Sequence, residues 1–386
     1  MTTRIKNAVF ITDRLEKNKY LYVNDGKISA FTECELPFDD EIDANGKYVS
    51  AGFIDIHTHG AGGYDFSDGG VDDIINACRM LASHGVTTVY PTSPSISFDD
   101  IKLFVKNVRS AMQKNRATKA HIAGAHLEGP YFSQSQRGAQ NPEFIKNPKK
   151  EEYSVLVEGN EDVIRRISFA PELDGALELC EYLREKGIVA AFAHTEAIYE
   201  ELMPAVERGC TLATHLYSGM NGVTRRKAHR KLGAVETAML DERIDVEVIA
   251  DGHHLPKELL QLIYKIKGAD KICLVSDSMS AAGMGEGAAT LGGLDCIVKD
   301  GVAYLPDFSS FAGSVALADR LIRVMYKDAK IPLCDAVKMM TATPARVMGL
   351  SDRGRLCVGC YADLVFFDDD INVERVFIEG NELDRT

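Results

Sequence analysis

The chain has no apolar run approaching the ~20 residues that a membrane-spanning helix needs. It is also short of positive charge: 44 Lys and Arg stand against 57 Asp and Glu, a net charge of −13. That argues against nucleic acid or an anionic membrane as the main partner, because both reward basic patches. A small anionic substrate in a local positive pocket remains compatible with it. The nine cysteines are scattered and odd in number, so they form no disulfide framework. Cys357 and Cys360 make a lone CxxC with no second pair and read as strand and turn residues. There is no low-complexity stretch and no short-period repeat. The glycine-rich stretches 60–63 and 283–287 fit neither a P-loop nor a dinucleotide fingerprint and read as mobile loops. The opening residues, Met1 to Asn7, lack the apolar core of a signal peptide, and a cytoplasmic location is expected.

What is present is ordinary globular composition, 45% apolar and 26% charged, enough to build a large core. Both ends are β-rich. Tyr20 to Val23 leads into Asn24-Asp25-Gly26, a hairpin signal, and Lys27 to Phe31 alternates as a returning strand should. Ala362 to Phe367 and Val373 to Ile378 have the same texture. The middle alternates short apolar runs with helical stretches such as Asp72–His84, Ala176–Lys186 and Pro256–Ile266. Eight candidate strands are Phe53–His57, Thr87–Pro91, Ile122–Glu128, Ile167–Pro171, Val189–His194, Leu212–Leu216, Val246–Ala250 and Ile272–Ser276. Continuous apolar runs of this kind suit parallel strands buried on both faces. The expected fold is α/β: a (β/α)8 TIM-like barrel over 51–346, with a small β-sandwich domain built from both termini, 1–50 and 347–386. A doubly wound open sheet is the alternative.

Polar residues recur where the strands end, which in such a barrel is the active-site mouth. The first strand ends in His57-Thr58-His59, the third in Glu128, the fifth in His194, the sixth in His215 and the eighth in Asp277. Imidazole and carboxylate suit borderline divalent ions. The period-two spacing of His57 and His59 turns both rings to one side of an extended strand. Glu128 is placed to bridge two ions, with His194 and His215 completing the second site. Asp277 is the candidate general base beside a metal-activated water, and later the proton donor to a leaving amine. His84 and His121 are read as structural, and His126 as no ligand. The segment Thr224 to Lys231 is strongly basic, follows the sixth strand and is read as a loop suited to an anionic group such as a phosphate.

With these motifs the sequence resembles the amidohydrolase superfamily over nearly the whole chain. The resemblance rests on Ala51 to Gly60, His126-Leu127-Glu128-Gly129-Pro130, Ala193-His194-Thr195, Thr214-His215-Leu216-Tyr217, Ile249 to His254, Val275-Ser276-Asp277 and Phe311-Ala312-Gly313-Ser314. It implies a metal-dependent amide hydrolase that deacetylates N-acetylglucosamine 6-phosphate, releasing glucosamine 6-phosphate and acetate in amino-sugar catabolism. Another N-acyl amino sugar is the alternative, such as N-acetylgalactosamine 6-phosphate, or another amide. Glu128, His194 and His215 match the main metal site and His57 and His59 a second one, for one or two ions of zinc, iron(II), manganese or cobalt. Asp277 matches the acid/base. Ala139, Gln140, Ser218, Gly219, Arg230 and His254 match positions that hold the sugar and its phosphate, and Phe311, Ala312 and Gly313 a loop that closes over them. A homodimer is implied. Ser218-Gly219-Met220 stands where many members read Asn-Ala-Met, Lys231-Leu232-Gly233 where Glu-Pro-Gly is usual, and Gln140 where single-metal members tend to carry His.

Overall fold

The computed structural model describes residues 1–114 and 119–384. Eight parallel strands form the central sheet: Phe53–Thr58, Val86–Ser93, Ala125–Glu128, Ile164–Phe169, Val189–Phe192, Leu212–Ala213, Asp245–Val248 and Ile272–Leu274. Each hydrogen-bonds in parallel to the next. Just beyond the eighth strand the ring is drawn together by two backbone bonds, Asp277 N–H to His57 O at 2.9 Å and His59 N–H to Ser278 O at 2.7 Å. The result is a nearly closed (β/α)8 barrel. The third strand is broken: His121–Ile122 pairs with the second strand, and pairing with it resumes at His126, past Gly124.

The second strand is buried along all eight residues, as a parallel strand covered on both faces must be. The helices that cover it are amphipathic. In Val71–Ser83, Ile74, Ile75, Ala77, Cys78, Leu81 and Ala82 form the buried face at helical spacing. At its start the Asp73 carboxylate accepts the Gly70 amide at 2.7 Å, satisfying a donor the helix leaves open. Among the described residues no helix is long and apolar enough to cross a membrane.

The two ends of the chain meet in one six-stranded sheet. Its order is Asn381–Glu382, Val373–Ile378, Leu364–Phe367, Tyr48–Ala51, Val9–Ile11 and Leu15–Glu16. A second sheet, Lys27–Thr32, Tyr20–Asn24, Thr2–Lys6 and Asp40–Asp43, comes from the N-terminal end. Ile5, Phe10, Leu21, Ile28, Val49, Leu364, Phe366 and Phe377 form a buried cluster contributed by both sheets, making a small β sandwich. Asp25 and Gly26 both take positive φ (49° and 75°), the conformation a two-residue hairpin turn needs.

One segment read as a loop is a hairpin, and a small sheet follows the glycine-rich stretch, whose residues 283–286 are turn and bend. Thr224–Arg226 pairs with His229–Lys231 across Lys227 and Ala228, both at positive φ without a glycine. Gly287–Leu291, Leu294–Lys299 and Val302–Tyr304 form a three-stranded sheet. The charge of the first and the glycines of the second hide strands whose pairing is their main support.

Candidate metal centre and active site

The strand ends converge on a cavity of about 560 Å³. Glu128 is its centre, and its two oxygens face different ways. Oε1 lies 2.9 Å from His215 Nε2 and 3.2 Å from His194 Nε2. Oε2 lies 3.2 Å from His59 Nε2 and 3.7 Å from His57 Nε2. Asp277 Oδ1 closes the far side, 3.2 Å from His59 Nε2 and 3.3 Å from His57 Nε2. All six side chains are buried. His194, His215 and Asp277 take positive φ (44°, 29° and 45°), a conformation rare outside glycine and common where function constrains the backbone. It turns each side chain inward as the strand ends.

Two groups have ligand atoms close enough for one ion each: His57, His59 and Glu128, and Glu128, His194 and His215. Their donors are imidazole nitrogen and carboxylate oxygen, the set that divalent transition ions prefer. The Nε2 atom of His57 is buried without a hydrogen-bond partner, and His194 donates from Nδ1 to the Gln136 carbonyl at 2.8 Å, which leaves its Nε2 free to ligate. The residues therefore fit a metal.

The charges are tightly balanced. Burial disfavours the imidazolium of His57, but Asp277 and Glu128 outweigh it and push the group up to about 10. His59 is pushed up to about 9 by the same carboxylates against the same burial. Burial opposes ionisation of Glu128 and Asp277, yet the surrounding histidines hold Glu128 well below the usual carboxylate range and Asp277 below it too. Asp277 is thus an ionised carboxylate at neutral pH.

Of the remaining expected residues, Ala139, Gln140, Ser218, Gly219, His254, Phe311 and Gly313 line the cavity. Gln140 donates to Glu128 Oε2 at 2.8 Å and accepts the Ser95 amide at 2.6 Å, so it braces the central carboxylate. Gly219 (φ 58°) backs His194: a Cβ there would lie 2.5 Å from Nδ1. His254 is held by Asp251, Nδ1 to Oδ2 at 2.7 Å, and packs on the Phe311 ring at 4.8 Å. Ala312 is buried behind the wall and does not line it.

Arg230 stands apart from the other expected residues. It is exposed on the Thr224–Lys231 hairpin and absent from the cavity wall. The hairpin carries its basic side chains outward, and Arg226 and Lys231 are paired with Glu201 and Glu200. No lysine or arginine lines the cavity among the described residues.

Several residues were not foreseen. Tyr217, Tyr304, Phe308, Ser309 and Ser310 also form the wall. The last four follow from the three-stranded insertion and had no sequence signal. Beneath the cluster, Glu247 reaches His57 Nδ1 at 3.1 Å and pairs with Arg166. A charged residue at a fully buried position of an apolar strand was the available sign. His126 bonds Ser168 Oγ at 2.7 Å and packs edge-to-face on the His57 ring, centroids 4.7 Å apart.

A (β/α)8 barrel with a histidine–carboxylate cluster at the C-terminal mouth defines the class. The chain belongs to the amidohydrolase family, whose profile matches residues 48–383. It is 31% identical to N-acetylglucosamine-6-phosphate deacetylase of Bacillus subtilis, the match covering 98% of this chain and 96% of that one. It is 28% identical to N-acetylgalactosamine-6-phosphate deacetylase of Escherichia coli O157:H7, covering 93% of each. Its fold matches the Mycobacterium smegmatis N-acetyl-D-glucosamine-6-phosphate deacetylase in complex with N-acetyl-D-glucosamine 6-phosphate. There the TM-score is 0.90 at 30% identity, over 99% of this chain and 98% of that one.

Proposed function

We infer that the protein hydrolyses the acetamide of N-acetylglucosamine 6-phosphate to glucosamine 6-phosphate and acetate. The observation that carries this reading is Asp277, an ionised carboxylate on the cavity wall beside the Glu128-centred cluster, in a chain whose relatives are deacetylases of that substrate class.

Glu128, His194 and His215 would hold one divalent ion, and His57 and His59 with Glu128 a second; zinc, iron(II), manganese and cobalt all suit these donors. Such an ion supplies Lewis-acid polarisation of the amide carbonyl and a water acidified towards ~7. Asp277 takes a proton from the attacking water as the C–O bond forms, and returns it to the amide nitrogen as the C–N bond breaks. His254, oriented by Asp251, and the polar groups of Ser218 and Gly219 take the sugar and its phosphate. Ala139 and Gln140 flank the acetyl end, and Phe311 to Gly313 cover the substrate. The Gly313 segment is pinned to the site through Ser314 N–H to Asp277 O at 2.8 Å.

The same reading divides the chain into a catalytic barrel, 51–346, and a supporting β domain, 1–50 with 347–386. It takes the enzyme as cytoplasmic, since a sugar phosphate is a charged substrate that does not cross a bilayer unaided, and as a homodimer, as the family resemblance implies. Light scattering and cell fractionation check these two points.

The functional test is acetate release by metal-reconstituted protein, with the 6-phosphates of N-acetylglucosamine and N-acetylgalactosamine and with unphosphorylated N-acetylglucosamine. Turnover dominated by N-acetylglucosamine 6-phosphate is expected. Preference for the galacto epimer would move the assignment to that sugar. No release from any of the three, with metal content verified, would overturn it.

A further inference from the structure

Below the mouth, the interior of a (β/α)8 barrel is normally filled by branched apolar side chains. Here it holds a fully buried Glu247–Arg166 ion pair, from the seventh and fourth strands. Such a pair gains little net stability over apolar packing, because both charges lose their water. Its partners show what else it does. Glu247 Oε2 faces His57 Nδ1 at 3.1 Å and accepts the His215 amide at 3.1 Å. The other oxygen faces the Arg166 guanidinium, which also donates to Ile56 O at 3.2 Å and Thr214 Oγ1 at 2.7 Å.

We propose that Glu247 is a positioning residue that fixes the His57 ring for metal ligation, and so governs the His57–His59–Glu128 group separately from the Glu128–His194–His215 group. The proposal rests on the metal-dependent reading above. Arg166 is an all-donor group, so Glu247 meets both His57 and Arg166 as an acceptor. In the neutral His57 ring the proton therefore sits on Nδ1, and the lone pair of Nε2 points at the space between Glu128 and Asp277. Of the four ligand rings, Glu247 touches only that of His57: His194 is oriented by the Gln136 carbonyl, and His215 meets Glu247 through its backbone alone. A glutamine at 247 has the same shape but one acceptor oxygen. If that oxygen serves Arg166, the amide N–H groups oppose His57 Nδ1–H and the His215 amide. Partners of this kind are typically worth 10- to 100-fold in metal affinity.

The test titrates cobalt(II) into metal-stripped wild type, Glu247→Gln and His57→Ala, reading bound equivalents by equilibrium dialysis and the visible spectrum. The expected wild type binds two equivalents. His57→Ala removes one, and Glu247→Gln weakens that same one 10- to 100-fold while the other, reached only through the His215 backbone amide, weakens by a smaller factor. Two wild-type-like equivalents in Glu247→Gln would overturn the positioning role and leave the metal reading standing. A wild type whose cobalt uptake ignores His57→Ala would overturn both. Should Glu247→Gln not fold, ring-15N NMR of zinc-loaded wild type decides: an Nδ1–H tautomer at His57 supports the proposal, and an Nε2–H tautomer overturns it.

Discussion

A side chain at Gly219 cannot be accommodated without moving His194, because its Cβ would sit 2.5 Å from the His194 Nδ1 atom and 2.8 Å from the Gln136 carbonyl that this nitrogen bonds. Gly219 also sits at φ 58°, where a non-glycine residue costs roughly 1–2 kcal/mol. Gly219→Ala is therefore expected to lower stability by about that amount, and to lower metal occupancy at the Glu128–His194–His215 group with activity. Differential scanning calorimetry and metal analysis check it; unchanged metal content would show that His194 is not placed by this glycine.

Asp277→Asn keeps the shape of the wall but removes the proton acceptor. General acid–base groups contribute roughly 10²–10⁴-fold. The expected result is a kcat loss in that range with metal still bound. A variant retaining more than a few per cent of wild-type turnover would remove Asp277 from the acid/base role.

Metal uptake should release protons. Without metal, His57 and His59 are held protonated up to about 10 and about 9, because two carboxylates face them. A ligating imidazole must be neutral, so apparent affinity should rise with pH across the range from 6 to 9. The metal-free protein runs the other way. The stability these raised groups contribute is fully present below the ordinary value of 6.5 and is lost as pH rises through 9 to 10. Calorimetric titration in buffers of different ionisation enthalpy, paired with melts of stripped protein, tests both signs. Buffer-independent binding heats would contradict the proton inventory.

Asp251→Asn should act on binding. The Asp251 carboxyl is held below its usual value, burial opposing and the His254 bond prevailing, and that bond aims the His254 ring. KM for the phosphorylated sugar should rise about tenfold or more with a smaller change in kcat, the loss of one charge-assisted hydrogen bond. A kcat defect at unchanged KM would place His254 in the chemistry instead.

Phe366→Ala tests the sandwich. Phe366 is buried in the cluster shared by both chain ends and packs against Phe377, the rings tilted by 44° with centres 5.3 Å apart. Truncating such a side chain typically costs about 3–5 kcal/mol. Denaturant melts should show it, with metal content per folded molecule unchanged.

Much of this protein was legible residue by residue. The eight strands, the amphipathic helix over 71–83, the Asp25-Gly26 hairpin and the histidines and carboxylates at the strand ends all follow from periods of 2 and 3.6 and from side-chain type, which are local properties. What the tertiary structure decided is everything that depends on ring closure. Only closure divides the two oxygens of Glu128 between two pairs of histidines, sets Asp277 against His57, and brings Arg166 and Glu247 together inside the barrel. The basic segment after the sixth strand is a further case: its charge gave no sign of the hairpin that Thr224–Arg226 and His229–Lys231 form, on which Arg230 is exposed. Sequence determines which groups each strand end presents; the distances and tautomers that make them a site arise only when strands far apart in the chain share one mouth.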